Sequence, residues 1–370
     1  MTVIEAINTG TTERRRVADI ARDLGVIFAQ RACETTDEDK FVADNFALLK
    51  ASGLVEAGVP AELGGGGATI DELAAMLRTL GYHCGSTALA FSMHTHQVAV
   101  PAWRWTHQKA TAVEPLLKRI ATERIQLVSS GGSDWLAGSG KAEKTDGGYR
   151  ITARKVFSSG APTGDLLMTS AVLESEGEPA TVLHFGVAMN SPHVKILDTW
   201  RTLGMRGTGS HDIVLDSVFV PDAAIGLRRP AGRWSPAWHV VAMHALPLIY
   251  AVYVGIAEAA RALAIRQAAG RRHDAGTQEL VGRMENELAT ARMALRQMVD
   301  AAAGGRPGIE TTNEVMIGRA VAGRAAIRSV EVAMEVASGA GFYRDLGLER
   351  LFRDVLGARY HQLRGSAQLT

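Results

Sequence analysis

The chain has 370 residues and a formal net charge of +1, and its 40 basic and 39 acidic residues form no block of one sign. This balance argues against a nucleic-acid-binding role, which needs a basic surface. The two cysteines, Cys33 and Cys84, lie far apart and outside any metal-ligand spacing, so we expect free thiols, a reducing cytoplasm and no metal site. Glu5 and the run from Thr11 to Arg16 interrupt any apolar stretch, which argues against a signal peptide.

The first third of the chain predicts helices. Between Val17 and Ile27, apolar residues recur at i, i+3, i+4, i+7 and i+10, which places them on one helical face. Further helices are predicted over residues 38–51, 69–82, 86–100 and 108–122. Together they predict an N-terminal helical domain over residues 1–122. His94 and His96 lie two positions apart on one of these helices, so at most one of them should line a pocket.

The sequence pattern changes near Gln126, where short segments rich in Val, Leu and Ile alternate with Gly and Ser turns. Asp146-Gly147-Gly148 before Tyr149 is typical of a β-hairpin. Four further strands are predicted, over residues 166–172, 181–189, 194–197 and 211–220. These segments predict an antiparallel β-domain over residues 123–229.

After Pro230 the helical pattern returns. Helices are predicted over residues 238–270, 278–303, 312–337 and 347–358, which predicts a four-helix-type bundle over residues 230–370. The apolar stretch from Val240 to Ala259 contains His244 and Glu258, so it is predicted to be a buried core helix and not a membrane span.

Three segments carry distinctive motifs. They are Phe157-Ser158-Ser159-Gly160, Met205-Arg206-Gly207-Thr208-Gly209-Ser210, and Gly339-Ala340-Gly341-Phe342 followed by Leu348 to Asp354. In this order they resemble the acyl-CoA dehydrogenase superfamily, and the resemblance covers nearly the whole chain. It implies a mainly α fold with a central β-domain: an N-terminal helical domain, a β-barrel-like middle domain and a C-terminal four-helix bundle. It also implies a flavin-dependent oxidoreductase that forms a homotetramer, in which the small-residue-rich helices at 251–264 and 317–337 pack between subunits.

The resemblance further implies where a flavin binds. Phe157 would supply an apolar wall for the isoalloxazine ring, and Ser158 and Ser159 would supply hydrogen bonds. Either Ser129 or Ser130 replaces a flavin-contacting Thr of the family. The other predicted cofactor-binding residues are Arg206, Thr208, Arg266, Gly339 and Gly341. Alanines follow Arg266 where the family has Phe and Gly, so FMN or a diffusible reduced flavin is an alternative to FAD.

Neither usual position of the family's catalytic glutamate carries a carboxylate here. That Glu removes the α-proton of an acyl thioester. Nine positions after Arg353 stands Gln362, whose amide has no basic lone pair. The other position, counted back from Pro247, holds His239.

His361, beside Gln362, and Ser159 resemble residues of the family's flavin monooxygenase branch. Those enzymes combine reduced flavin with O₂ and need a proton donor and a hydroxyl near it, a task that suits histidine. We therefore favour a reduced-flavin monooxygenase with a small-molecule substrate and a flavin reductase as partner. The candidate catalytic residues are His361, Ser159 and His239.

Two alternatives stay open at this point. The first is an acyl-CoA or acyl-carrier-protein dehydrogenase that acts on an acyl thioester through His239, His361 or an unrecognised base. Such an enzyme would pass electrons to an electron-transfer flavoprotein. The second is a degenerate family member that binds flavin or a thioester without turnover.

Overall fold

A computed structural model of the chain describes residues 16–34, 39–130, 132 and 134–361. Gln362 lies outside the described residues. The α-helices of the described part are α1 (Val17–Glu34), α2 (Ala43–Ala51), α3 (Ile70–His83), α4 (Gly85–Gln108), α5 (Glu114–Glu123), α6 (Ala237–Ala268), α7 (Ala275–Ala303), α8 (Ile309–Ala337) and α9 (Leu348–Val355). The strands are β1 (Leu127–Ser129), β2 (Lys141–Thr145), β3 (Gly148–Ser158), β4 (Leu166–Ser175), β5 (Glu178–Ala188), β6 (Val194–Ile196), β7 (His211–Pro221) and β8 (Leu227–Pro230).

The helices begin and end for local reasons that the sequence carries. In α1 the predicted apolar face is buried, with Leu24 and Phe28 at most 1% exposed. Helix α3 begins with a capping box, in which Thr69 and Glu72 each accept a backbone N–H of the other. Proline stands inside α4 at Pro101 and inside α6 at Pro247.

The eight described strands form one sheet, and in chain order they lie between the two groups of helices. Their order is β6-β7-β3-β2-β4-β5-β8, and β1 pairs with β4 beside this path. Most neighbours are antiparallel, as predicted, but β1 and β2 both run parallel to β4. The expectation of a purely antiparallel domain is therefore wrong at this point. A separate apolar core fills the inside of the sheet, around residues such as Ile151, Leu167 and Leu183.

Helix α6 is the central element of the helical core. Residues 242–257 of α6 are buried throughout. Its most apolar stretch has a hydropathy and length that would fit a membrane, but 94% of it is buried inside the fold. The structure thus confirms the predicted core helix.

The small residues of α6 are used within the chain. A Cβ on Gly255 would lie 2.1 Å from the carbonyl oxygen of Arg78 in α3, and a Cβ on Gly81 would lie 2.5 Å from that of Val252. These contacts let the backbones of α3 and α6 approach closely. Within the stretch 251–264, which is expected to pack between subunits, Gly255 therefore also makes a close contact with α3 of the same chain.

Candidate active site

A β-bulge at the end of β3 shapes one wall of the site. The register between β3 and β7 shifts between Lys155 and Ser158, and Phe157 adopts φ +57°. Bulges of this kind turn side chains out of their alternating positions. Phe157 is 66% exposed, and its ring meets Trp200 edge to face at 6.0 Å. Ser158, by contrast, is fully buried, and its Oγ has no hydrogen-bond partner among the described residues.

Beside the bulge, three buried hydroxyl groups form a chain. The Oγ atoms of Ser159 and Ser210 lie 2.7 Å apart, and Ser210 Oγ lies 2.6 Å from Thr208 Oγ1. Thr208 in turn donates to the carbonyl oxygen of Met205 at 2.9 Å. The backbone N–H of Gly160 donates to Thr208 O at 2.9 Å, so the Phe157 and Met205 segments are held together.

Met205 connects this hydroxyl chain to the C-terminal segment. Its backbone N–H donates to the buried carboxylate of Asp354 at 2.5 Å. A Cβ on Gly357 would meet both the Met205 side chain at 3.4 Å and the Tyr253 hydroxyl at 3.0 Å. Contacts between residues far apart in sequence thus join the Phe157, Met205 and Asp354 segments, which resemble the family's motifs.

The predicted catalytic histidine lies at the end of this path. The hydroxyl of Tyr253, in α6, lies 2.6 Å from His361 Nδ1. The guanidinium of Arg319, in α8, donates to the His361 carbonyl oxygen. Burial and then the positive charge of Arg319 lower the pKa of His361 to about 4, so its imidazole is neutral at pH 7.

His94 and His96 are both buried, but they do different things. His94 is held between two backbone groups: Nε2 lies 2.8 Å from Val55 O, and Nδ1 accepts the N–H of Leu127 at 3.0 Å. Its role is structural. His96 Nδ1 donates to Ser92 O at 3.0 Å. His96 lies close enough to His361 to contribute to the lowered pKa of His361, and burial lowers its own pKa to about 4.

The structure distinguishes the two serines at the end of β1. Ser130 Oγ lies 2.7 Å from Thr169 Oγ1, so its hydroxyl is already engaged. Ser129 shares a strand face with Leu127, which packs in the helical core, whereas Ser130 shares a face with Val128, which packs inside the sheet. Ser129 therefore faces the helices.

The other predicted site residues lie elsewhere or are engaged. His239 lies fourteen residues before Tyr253 in α6, or roughly 21 Å along a helix axis. Its Nε2 accepts from Trp234 at 3.3 Å, and Nδ1 lies 2.7 Å from Thr312 Oγ1. The structure does not bring His239 and His361 together.

Arg206 forms a bidentate ion pair with Asp39, with N···O distances of 2.7 and 2.9 Å. Arg266 is exposed near the end of α6. Gly339 is exposed and Gly341 buried in the turn after α8, next to Phe342, which is 86% exposed.

Sequence reasoning missed Tyr253 and Ser210. Tyr253 reads as one more apolar residue of a buried helix, and its partner His361 lies 108 residues away. Ser210 was part of a recognised motif, but a lone serine carries no sign of the hydroxyl that it will meet. For both residues the informative signal is the contact itself.

The residues present fit a flavin. A flavin ring needs a flat apolar surface and hydrogen-bonding groups at its edge. Phe157 offers an exposed ring. In the part of the chain that the structure describes, Ser158 Oγ is a buried polar atom without a partner, which is costly unless another molecule satisfies it. Ser129 adds a hydroxyl on the side of the helices. Among the described residues, no group of three His, Cys, Asp or Glu could hold a metal ion.

Comparisons with known proteins agree with this geometry. Three family models match: the acyl-CoA dehydrogenase N-terminal domain over residues 11–119, the middle domain over 129–218 and the C-terminal domain over 241–365. A putative acyl-CoA dehydrogenase, YdbM of Bacillus subtilis, is 27% identical over 89% of this chain and 88% of its own length.

Other similar proteins are oxygenating enzymes by name. The amino sugar nitrososynthase DnmZ of Streptomyces peucetius is 26% identical over 84% of this chain and 80% of its own length. A crystal structure of FMN-bound TdsC, a dibenzothiophene monooxygenase from Paenibacillus, superposes with a TM-score of 0.83, at 19% identity and over 95% of each chain. A pigment production hydroxylase of Rhodococcus is also similar, and this chain covers 52% of its length. The three matched domains, in order along the described fold, show that the chain belongs to the acyl-CoA dehydrogenase superfamily of flavin-dependent oxidoreductases.

Proposed function

We propose that the protein is a reduced-flavin monooxygenase. One observation carries this proposal: a neutral histidine, His361, stands beside Gln362, which replaces the catalytic glutamate of a dehydrogenase of this fold. The pKa of His361 is shifted by burial, by the charges of Arg319 and His96 and by the Gly357 carbonyl. No carboxylate is among these causes. When bound, reduced flavin would activate O₂ for transfer of an oxygen atom to a small-molecule substrate.

The chain's own residues would hold and orient the flavin. Phe157 would cover one face of the ring, while Ser158 and Ser159 would bond its edge. Between the two serines at the end of β1, Ser129 is the better candidate because it faces the helices, whereas Ser130 faces the inside of the sheet and bonds Thr169. His361 would donate a hydrogen bond to the reacting oxygen.

FMN, or a reduced flavin that exchanges with solution, fits this chain better than FAD. The family's contacts to the adenine half are weakened here, because Arg266 is exposed and is followed by small residues. FMN is bound in the similar TdsC structure. A flavin reductase would then supply the reduced cofactor, and the free thiols Cys33 and Cys84 suit a cytoplasmic enzyme.

A homotetramer remains part of the proposal, along with the domain division at residues 1–122, 123–229 and 230–370. Two apolar side chains on the outer helices support association: Met293 is 66% exposed and Ile317 is 50% exposed. Light scattering at micromolar concentration measures the assembly directly, and a monomer would contradict it.

The test of the function uses the purified protein with a flavin reductase, NADH and O₂. We expect oxygen-dependent conversion of an aromatic or amine substrate. His361→Ala should keep flavin affinity but lower product per reduced flavin by about 10²-fold or more, with more hydrogen peroxide released. His273→Ala, at an exposed histidine, is the matched control. Equal product yield from the His361→Ala enzyme would refute the proposed role.

The relationship to YdbM favours acyl-CoA dehydrogenase as the second candidate function. A dehydrogenase would bleach oxidised flavin when an acyl-CoA is added without oxygen. We expect slow or absent bleaching across chain lengths, and no gain in oxygenation from Gln362→Glu. Rapid bleaching by the wild type would instead establish the dehydrogenase. Binding of flavin with neither activity would indicate the degenerate family member.

A further inference from the structure

The bond between Tyr253 and His361 is made in an enclosed setting. Tyr253 is fully buried, and burial raises the pKa of its hydroxyl well above 10, so the phenol keeps its proton at neutral pH. His361 is half-buried and neutral. The pair therefore holds one phenol proton and one imidazole proton. Which ring nitrogen carries the imidazole proton decides whether His361 offers the site a donor or an acceptor.

Counting donors and acceptors fixes that arrangement. In the part of the chain that the structure describes, the Tyr253 hydroxyl has a single hydrogen-bond partner, His361 Nδ1. If Nδ1 carried the proton, it would donate to the Tyr253 oxygen and leave the phenol proton buried without an acceptor. An unsatisfied buried donor costs about 1–3 kcal/mol. The favourable arrangement has Tyr253 donating to Nδ1, which leaves the imidazole proton on Nε2.

We propose that Tyr253 is a positioning residue that locks His361 in the Nε2–H tautomer, so that His361 faces the site as a neutral hydrogen-bond donor and cannot accept a proton there. This inference rests on the proposed function for its role in turnover. The hydrogen bond that one ring nitrogen makes generally sets which tautomer the other presents. The Nε2 proton is then the one that His361 presents to a ligand.

The surroundings support the same arrangement. The groups that face His361 are Tyr253 from α6, Arg319 from α8, His96 from α4 and the backbone carbonyl of Gly357, one turn before it. Arg319 anchors the His361 backbone carbonyl and disfavours a second positive charge nearby. His96 directs its Nδ1 proton to Ser92, so it does not compete for His361 Nδ1.

Tyr250 provides a matched control one turn before Tyr253. Both are buried in α6, and their rings lie 5.6 Å apart. The Tyr250 hydroxyl donates to Ala358 O at 2.9 Å and accepts a hydrogen bond from Arg319, so its donor bond goes to a backbone carbonyl instead of to His361. Tyr250→Phe and Tyr253→Phe therefore each remove one buried hydroxyl, but Tyr253→Phe alone removes the partner of Nδ1.

The experiment records ¹⁵N signals of histidine-labelled full-length protein by solid-state NMR at pH 7.5, with and without FMN. The His361 signals are identified by their loss in His361→Gln. We expect wild type and Tyr250→Phe to show a protonated Nε2 and a bare Nδ1. Tyr253→Phe should show protonated Nδ1 in part of the molecules. A wild type with protonated Nδ1, or a Tyr253→Phe spectrum identical to that of wild type, would overturn the inference.

Turnover gives a second readout. Product per reduced flavin should fall about 10–100-fold in Tyr253→Phe, the range for removing a residue that orients a ligating or catalytic histidine. It should fall little in Tyr250→Phe. If His361→Ala has no effect on product yield while the NMR shows the expected tautomer, the proposed function fails and the tautomer assignment stands. If His361→Ala lowers the yield but Tyr253→Phe does not, the positioning role fails and the proposed function stands.

Discussion

Buried neutral histidines make acid unfolding a quantitative test of the structure. Burial lowers the pKa of five histidines to about 4: His94, His96, His184, His244 and His361. In an unfolded chain a histidine has a pKa near 6.5. Below pH 6.5 the unfolded chain therefore binds protons that the folded protein does not.

The sign and size of the effect follow from proton linkage. Because these pKa values are lowered by folding, their contribution to stability is fully present above pH 6.5 and is lost as pH falls toward 4. His94, His96 and His244 are at most 4% exposed. Between pH 7 and pH 5 each of them costs about 2 kcal/mol, and the three together cost about 5–6 kcal/mol. That is comparable to the whole stability of a small domain, about 5–15 kcal/mol.

The assay is thermal unfolding followed by circular dichroism between pH 7.5 and 5.0. We expect Tm to fall steeply below pH 6.5. His244→Gln removes one of these titrating groups, so the slope of stability against pH should decrease by about 1.4 kcal/mol per pH unit near pH 5. His273→Gln, at an exposed position, should keep the wild-type slope. A Tm that stays constant from pH 7.5 to 5.0 would refute the assignment of neutral buried histidines.

Two further predictions test the packing and the cofactor site. Gly255→Ala should destabilise the protein by about 1–3 kcal/mol, because its Cβ would collide with backbone atoms of α3. Gly282→Ala, where a Cβ meets nothing within 4 Å, should stabilise α7 by about 0.5–1 kcal/mol, and equal effects in chemical denaturation would contradict this packing. Ser129→Ala should weaken FMN binding about fivefold, whereas Ser130→Ala should not, as measured by fluorescence titration. The reverse order would show that Ser130 faces the flavin.

Much of the fold was predictable because the long helices have strong local signals. The predicted helix 278–303 is observed as α7, Ala275–Ala303, and the predicted helix 312–337 as α8, Ile309–Ala337. Apolar spacing over eight turns fixes such elements. The predicted helix 108–122 is observed only as α5, Glu114–Glu123, because α4 continues to Gln108.

Strand pairing was harder to predict. The sequence predicted strands in the regions of β2 and β4, but neither segment indicates that the two strands pair in parallel. Pairing is decided by which faces are buried together, and that depends on residues distant in sequence. The same limit applies to Lys155. Its position in the alternation of β3 fits a residue that faces the core. Its ammonium group is stabilised there by Asp134 and Ser139, and the sequence pattern does not reveal these contacts.

The candidate site shows the same division. The motifs predicted Phe157, Ser159 and His361 as site residues because they resemble residues of the family. The sequence did not reveal that Ser158 Oγ would have no partner within residues 16–34, 39–130, 132 and 134–361, or that His239 would bond Trp234 and Thr312. Those facts depend on side-chain contacts between elements. The contacts, more than the motifs, separate the alternatives for the chemistry.

The contacts bear directly on whether this chain can remove an α-proton. A base needs a free lone pair at the substrate. The family's two carboxylate positions hold Gln362 and His239, and an amide has no basic lone pair. The lone pair of His239 Nε2 already accepts from Trp234. With the proton of His361 on Nε2, as proposed, the third candidate also lacks a lone pair toward the site. Hydrogen-bond donation is the chemistry that remains for His361, and oxygen transfer uses such a donor, whereas α,β-dehydrogenation does not proceed without an acceptor.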